Sequence, residues 1–120
     1  MKFLNDLRNK RDLYAVYDSA DTLENAMELV RDGLLFQIYC IPYSFGGQRV
    51  ESNMLYVPDA AAERKRKIDS MMDELAAQGV ISVYDCVPQY NGKSLVPVKL
   101  VISGYLGERL VCQETITIRQ

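Results

Sequence analysis

Histidine is absent from this 120-residue chain, and so is tryptophan. Without His there is no imidazole base, no Ser-His or Cys-His nucleophile pair and no His-containing metal site. Cysteine is sparse. Cys40, Cys86 and Cys112 are odd in number, sit in strand-like apolar segments and lack Cys-x-x-Cys spacing. Such thiols fit reduced, buried side chains better than a disulfide framework or a zinc site. No apolar run approaches the about 18 residues that span a bilayer, so no membrane partner is expected. Met1-Lys2-Phe3-Leu4-Asn5-Asp6 turns charged too soon for a signal peptide, and a cytoplasmic location is expected. Neither sign of charge dominates: 14 Lys and Arg against 16 Asp and Glu leave a formal −2, with no global pull toward polyanions. No Gly-rich phosphate loop, Walker motif or dinucleotide fingerprint occurs, and no cofactor is expected.

What is present is a sequence echo. Gly33 to Pro42 and Gly79 to Pro88 both read Gly, six residues, Cys, Ile or Val, Pro, at a constant offset of 46. Each copy follows a helix-like segment. Asp21 begins the first helix, with Glu24 in the capping-box position and Leu23, Ala26, Met27 and Val30 as its apolar stripe. The second runs from Asp59 to Gln78, with Ile68, Met71, Met72, Leu75 and Ala76 as its stripe. Gly33 and Gly79 are positioned to cap the two C-termini, and Pro42 and Pro88 to stop the strands that follow.

Leu13-Tyr14-Ala15-Val16-Tyr17 reads as a short strand, and Val50 to Val57 as another. The segments assemble as strand 13–17, helix 21–32, strand 34–41 and strand 50–57, helix 59–78, strand 80–87. The prediction is an α+β domain of ferredoxin-like split β-α-β type. Residues 1–12 form an N-terminal arm or short helix, 13–48 the first β-α-β unit, 49–92 the second, and 93–120 a hairpin extending the sheet. The hairpin rests on alternation at Val96 to Ile102 and Leu110 to Ile118; Pro97 marks an edge or a bulge. In that arrangement the echoed strands lie at opposite edges, about 14 Å apart, and Cys40 and Cys86 do not pair.

The uncovered sheet face supplies the first candidate site. Taking Phe36 and Ile38 as core places Gln37 and Tyr39 outside; taking Ile81, Val83 and Val87 as core places Tyr84 outside. The second candidate is the basic run Arg64, Lys65, Arg66 and Lys67, in which Lys65 shares a helix side with Ile68. The third is Asp18 with Asp85, a weak metal pair on strands expected to be neighbours. The strand-ending Tyr17-Asp18 resembles the small ferredoxin-like CRISPR-associated nucleases, which implies a metal-dependent phosphodiesterase. Gly46-Gly47-Gln48 is similar to the tripeptide of peptide-chain release factors but lacks that family's basic surroundings; glycines in a tight turn account for it.

The leading expectation is a small binding or adaptor protein without catalytic activity, acting through an open sheet face or a strand edge, its partner another protein or a second copy in a homodimer. Nucleic-acid binding through 64–67 is the alternative, and the Asp18–Asp85 phosphodiesterase a further one.

Overall fold

The computed structural model describes residues 10–119. Among the described residues the chain is α+β, with three α-helices and two antiparallel sheets. The expected N-terminal arm or short helix falls mostly outside the described residues. The expected first strand is corrected: residues 13–17 lie inside helix α1 (Lys10–Asp18). The β-branched and aromatic content of Leu13 to Tyr17 favours a strand, but Leu13, Tyr14 and Tyr17 recur at helical spacing. All three join one apolar cluster with Ala20, Ala26, Leu35, Tyr56 and Val96. Tertiary burial overrides the local preference.

Helix α2 (Leu23–Arg31) starts one residue later than the capping-box reading places it. Thr22 is the N-cap, its hydroxyl accepting from the Asn25 N–H at 3.1 Å, and Asp21 instead accepts from the Asn25 side chain at 2.9 Å. Its C-terminus closes as the sequence indicates. Gly33 has φ 78°; its N–H bonds Val30 O at 3.0 Å and the Leu34 N–H bonds Leu29 O at 2.9 Å. Helix α3 (Asp59–Ala77) ends identically: Gly79 has φ 74°, with bonds from Gly79 to Ala76 at 3.0 Å and from Val80 to Leu75 at 2.9 Å. Left-handed backbone at both ends explains both glycines of the echo.

Strand β1 (Phe36–Tyr39) pairs antiparallel with β2 (Met54–Val57), Phe36 opposite Val57 and Tyr39 opposite Met54. This ribbon lies between two cores. Leu55 and Val57, with Ile38, face α3 and the larger sheet; Tyr56 and Met54 face the cluster around α1 and α2. The larger sheet has the order β3 (Val83–Gln89), β4 (Lys99–Leu106), β5 (Arg109–Thr117). Its inner face carries Cys86, Leu100, Ile102 and Ile116 against Ile68 and Met72 of α3. Gly104 sits where a Cβ would meet Cys112 Sγ at 3.0 Å and Ile81 at 3.1 Å.

Pro88 does not stop its strand, contrary to the sequence reading. It lies within β3, opposite Leu100, and an edge strand tolerates a residue without an N–H. The loop before β4 ties the sheet to the N-terminal helices: the Leu95 N–H bonds Ala20 O at 2.7 Å, and Ser94 Oγ donates to Tyr17 O at 2.6 Å. Among the described residues no helix is long and apolar enough to cross a membrane.

Candidate functional site

A cavity of about 610 Å³ runs between β1 and α3. All four residues of β1 border it, together with Pro42 and Tyr43 beyond the strand and Lys65, Arg66 and Asp69 on the helix. Four consecutive residues of one strand cannot all face one side of a pleated ribbon. The cavity therefore runs along the strand's edge, and among the described residues β1 bonds only β2, which leaves that edge unpaired by them.

The ladder's phase shows what this edge offers. The Cys40 N–H donates to Asn53 O at 2.8 Å, which continues the β1–β2 register by one residue. Antiparallel pairs alternate between bonded and non-bonded. Cys40, Ile38 and Phe36 therefore turn their peptide groups toward β2, while Gln37 and Tyr39 turn theirs off the free edge. The peptide groups of Gln37 and Tyr39 have no hydrogen-bond partner among the described residues. Their side chains are engaged on the ribbon's other face. Gln37 Nε2 donates to Tyr56 OH at 3.2 Å, and Tyr39 OH accepts from Arg49 Nε at 2.7 Å.

The far end of the groove is held by the turn 41–47. Gly46 has φ 88°, and a Cβ on Gly47 would lie 1.8 Å from Ile41 O. The two turn glycines thus meet separate backbone demands, and Gln48 beside them gives its carbonyl to Asn53 Nδ2 at 2.9 Å. Phe45 leaves this turn to stack on Tyr84, ring centroids 4.9 Å apart.

Beneath the groove lies a buried polar network. Lys65 is 2 % exposed, on the stripe Ala61, Lys65, Ile68, Met72 of α3. Its ammonium donates to Asp69 at 2.7 Å and to Tyr84 OH at 3.1 Å, and Tyr84 OH donates to Asp69. Burial, then the bond to Asp69, pushes the Tyr84 phenol far above its ordinary value. Tyr84 is 6 % exposed. Its predicted outward orientation is corrected: Val83 and Val87 face solvent, and Tyr84 and Cys86 face the core. The Lys65–Asp69 pair on α3 gives the phenol its partners on the core side.

The basic run separates. Lys65 is the buried member; Arg66 pairs with Glu63; Arg64 approaches Glu114 of β5 at 3.9 Å; Lys67 is exposed outside the groove. Of the residues singled out in the sequence, Gln37, Tyr39, Lys65 and Arg66 line the groove and Tyr84 contacts its floor through Lys65, while Arg64 and Lys67 do not take part. The groove's carboxylates are Asp59, Glu63, Asp69 and Asp73; against Lys65 and Arg66 they leave the lining two charges negative.

Asp18 and Asp85 are not on neighbouring strands. Asp18 ends α1 and accepts from Arg119 at 2.5 Å, whereas Asp85 lies on β3 opposite Ser103. Among the described residues no three His, Cys, Asp or Glu side chains are grouped to hold a metal ion.

Sequence reasoning missed Asp69, Pro42 and Tyr43 as groove residues. Asp69 was open to it, lying four positions from Lys65 on one helix face. Comparisons with protein-family models, curated proteins and solved structures return no match for this chain.

Proposed function

We propose that this chain is a non-catalytic binding protein that takes an extended, basic polypeptide segment as a third strand on the free edge of β1. The observation that carries the reading is the pair of outward peptide groups at Gln37 and Tyr39, alongside a groove deep enough for side chains. Strand addition uses such an edge, with backbone bonds giving affinity and flanking pockets giving specificity. Two N–H and two C=O groups contribute about 2–6 kcal/mol net at about 0.5–1.5 kcal/mol each. A micromolar complex needs about 8 kcal/mol, so side chains in the groove must supply the remainder. The lining's excess of carboxylates favours Lys or Arg in the incoming segment and disfavours a phosphate backbone there. The nucleic-acid reading rests on less, because three of its four cations are already paired.

Selection from a phage-displayed library of ten-residue peptides supplies the probe. The expected binders alternate and carry Lys or Arg. In hydrogen-exchange NMR the Gln37 and Tyr39 amides exchange rapidly in the free protein and become protected in the complex. Tyr39→Pro removes an N–H that the ladder does not use and abolishes binding, while Tyr39→Phe retains it. Protection confined to β3–β5, or binding indifferent to Tyr39→Pro, refutes the proposal. A dimer in light scattering, with those amides already protected, places a second copy on the edge instead of a foreign peptide.

A further inference from the structure

The geometry points to a second site, independent of what occupies the β1 edge: Cys40 and Cys86 form a redox dithiol that closes into a disulfide between the β1–β2 ribbon and the three-stranded sheet. The expectation that these residues lie at opposite edges of one sheet is overturned. Cys40 Sγ donates to the Cys86 carbonyl oxygen at 3.2 Å, so the first thiol lies two covalent bonds and one hydrogen bond from the second residue's Cα. Both side chains pack in the same cluster, Cys40 at the end of β1 and Cys86 at the middle of β3. Both are free thiols.

Their surroundings divide the labour. Cys40 is half-buried, and Cys86 is 5 % exposed. A soluble oxidant therefore meets Cys40 first. A side-chain hydrogen bond from the Cys86 thiol, distinct from the bond to its carbonyl, holds the Cys40 thiol below its ordinary value against the effect of burial, and the Lys65 ammonium adds to the lowering. The same thiol–thiol bond, then burial, push Cys86 up. This is the pattern of an attacking and a resolving thiol. Cys112 faces elsewhere, its sulfur 3.7 Å from Met72 Sδ on α3.

The oxidant is a low-molecular-weight disulfide. The Cys40 thiolate attacks one of its sulfurs; the S–S bond breaks, and one thiolate leaves with the electron pair. Cys86 then loses its proton and attacks the Cys40 sulfur, displacing the second small thiolate. The protein gives up two electrons and two protons, and the small disulfide becomes two thiols. The product fastens the turn 41–47, which holds the end of the groove, to β3.

The test incubates the full chain with oxidised glutathione, alkylates the remaining thiols and maps tryptic peptides. The expected product joins peptide 32–49 to peptide 68–93, leaves 110–119 alkylated and lowers the free-thiol count from three to one. Cys86→Ser stops at a stable glutathione adduct on Cys40. A glutathione adduct that persists on Cys40 in the unsubstituted chain, a bridge to Cys112, or no reaction at either residue overturns the proposal.

Discussion

The two members of the buried Lys65–Asp69 pair respond oppositely to removal. The Lys65 side chain is 2 % exposed and that of Asp69 is 20 % exposed. Asp69→Ala leaves an ammonium sealed under the groove with only a phenol oxygen beside it. Stranding one member of a buried pair costs about 3–5 kcal/mol. A chain of this length unfolds with about 0.25 kcal/mol/K of entropy, so each kcal/mol moves Tm by about 4 °C. Asp69→Ala therefore lowers Tm by about 12–20 °C. Lys65→Met removes the charge and keeps an unbranched chain of similar volume. The carboxylate that remains retains the Tyr84 O–H and has access to water, so stability changes by no more than about 1 kcal/mol in either direction. The double substitution recovers most of the loss in Asp69→Ala, because no charge is left buried. Urea denaturation followed by circular dichroism reads all three variants, with an unchanged m value securing the comparison. Equal losses in Asp69→Ala and Lys65→Met would refute the asymmetry, and with it the assignment of Lys65 as the sealed partner.

The fold holds Tyr56 and Tyr84 neutral: burial and the bond to Glu51 push Tyr56 up to about 12, and burial and the bond to Asp69 push Tyr84 up. A raised folded-state value means their contribution is intact below the unfolded tyrosine value of about 10 and is lost as pH rises through about 12. Phenolate absorbance from these two tyrosines should appear together with the loss of far-UV circular dichroism, and full phenolate development in a folded chain would contradict it. In the turn 41–47, Gly47→Ala should cost about 3 kcal/mol, because its Cβ would lie 1.8 Å from a backbone oxygen. Gly46→Ala, strained only in φ, should cost about 1–2 kcal/mol by thermal denaturation, and a reversed order would place the close approach elsewhere.

Helix ends and the C-terminal hairpin are legible because each has a signal with one physical meaning. Gly33 and Gly79 have φ 78° and 74°, where other residues are strained. The strand phase around Tyr84 has no such signal. Val83, Tyr84, Asp85, Cys86 and Val87 offer apolar side chains to either face, so alternation does not choose between them. The choice is made across the fold, by Lys65 and Asp69 below the phenol and by Gly104 opposite it. Lys65 is hidden for a similar reason. Read as a run, 64–67 is a cationic surface; read at helical spacing, Lys65 falls between Ala61 and Ile68 on the core stripe.

The expected separation of the cysteines rests on one continuous sheet with 13–17 among its inner strands, and the chain instead forms two sheets. Had residues 13–17 formed a strand of such a sheet, the split β-α-β order would have placed two strands between the echoed ones, and the separation of about 14 Å would have followed. The placement of β1 at an edge and its antiparallel partnership with β2 do not depend on that strand, and both are present. The separation of Cys40 from Cys86 does depend on it. With 13–17 coiled as a helix against Tyr56 and Ala26, no strand of that segment lies between ribbon and sheet. The end of β1 then reaches β3 directly, and one thiol meets the other residue's carbonyl at 3.2 Å. The β1–β2 ribbon forms its own sheet and packs on β3–β5 through one core, which turns two cysteines expected to be remote into neighbours.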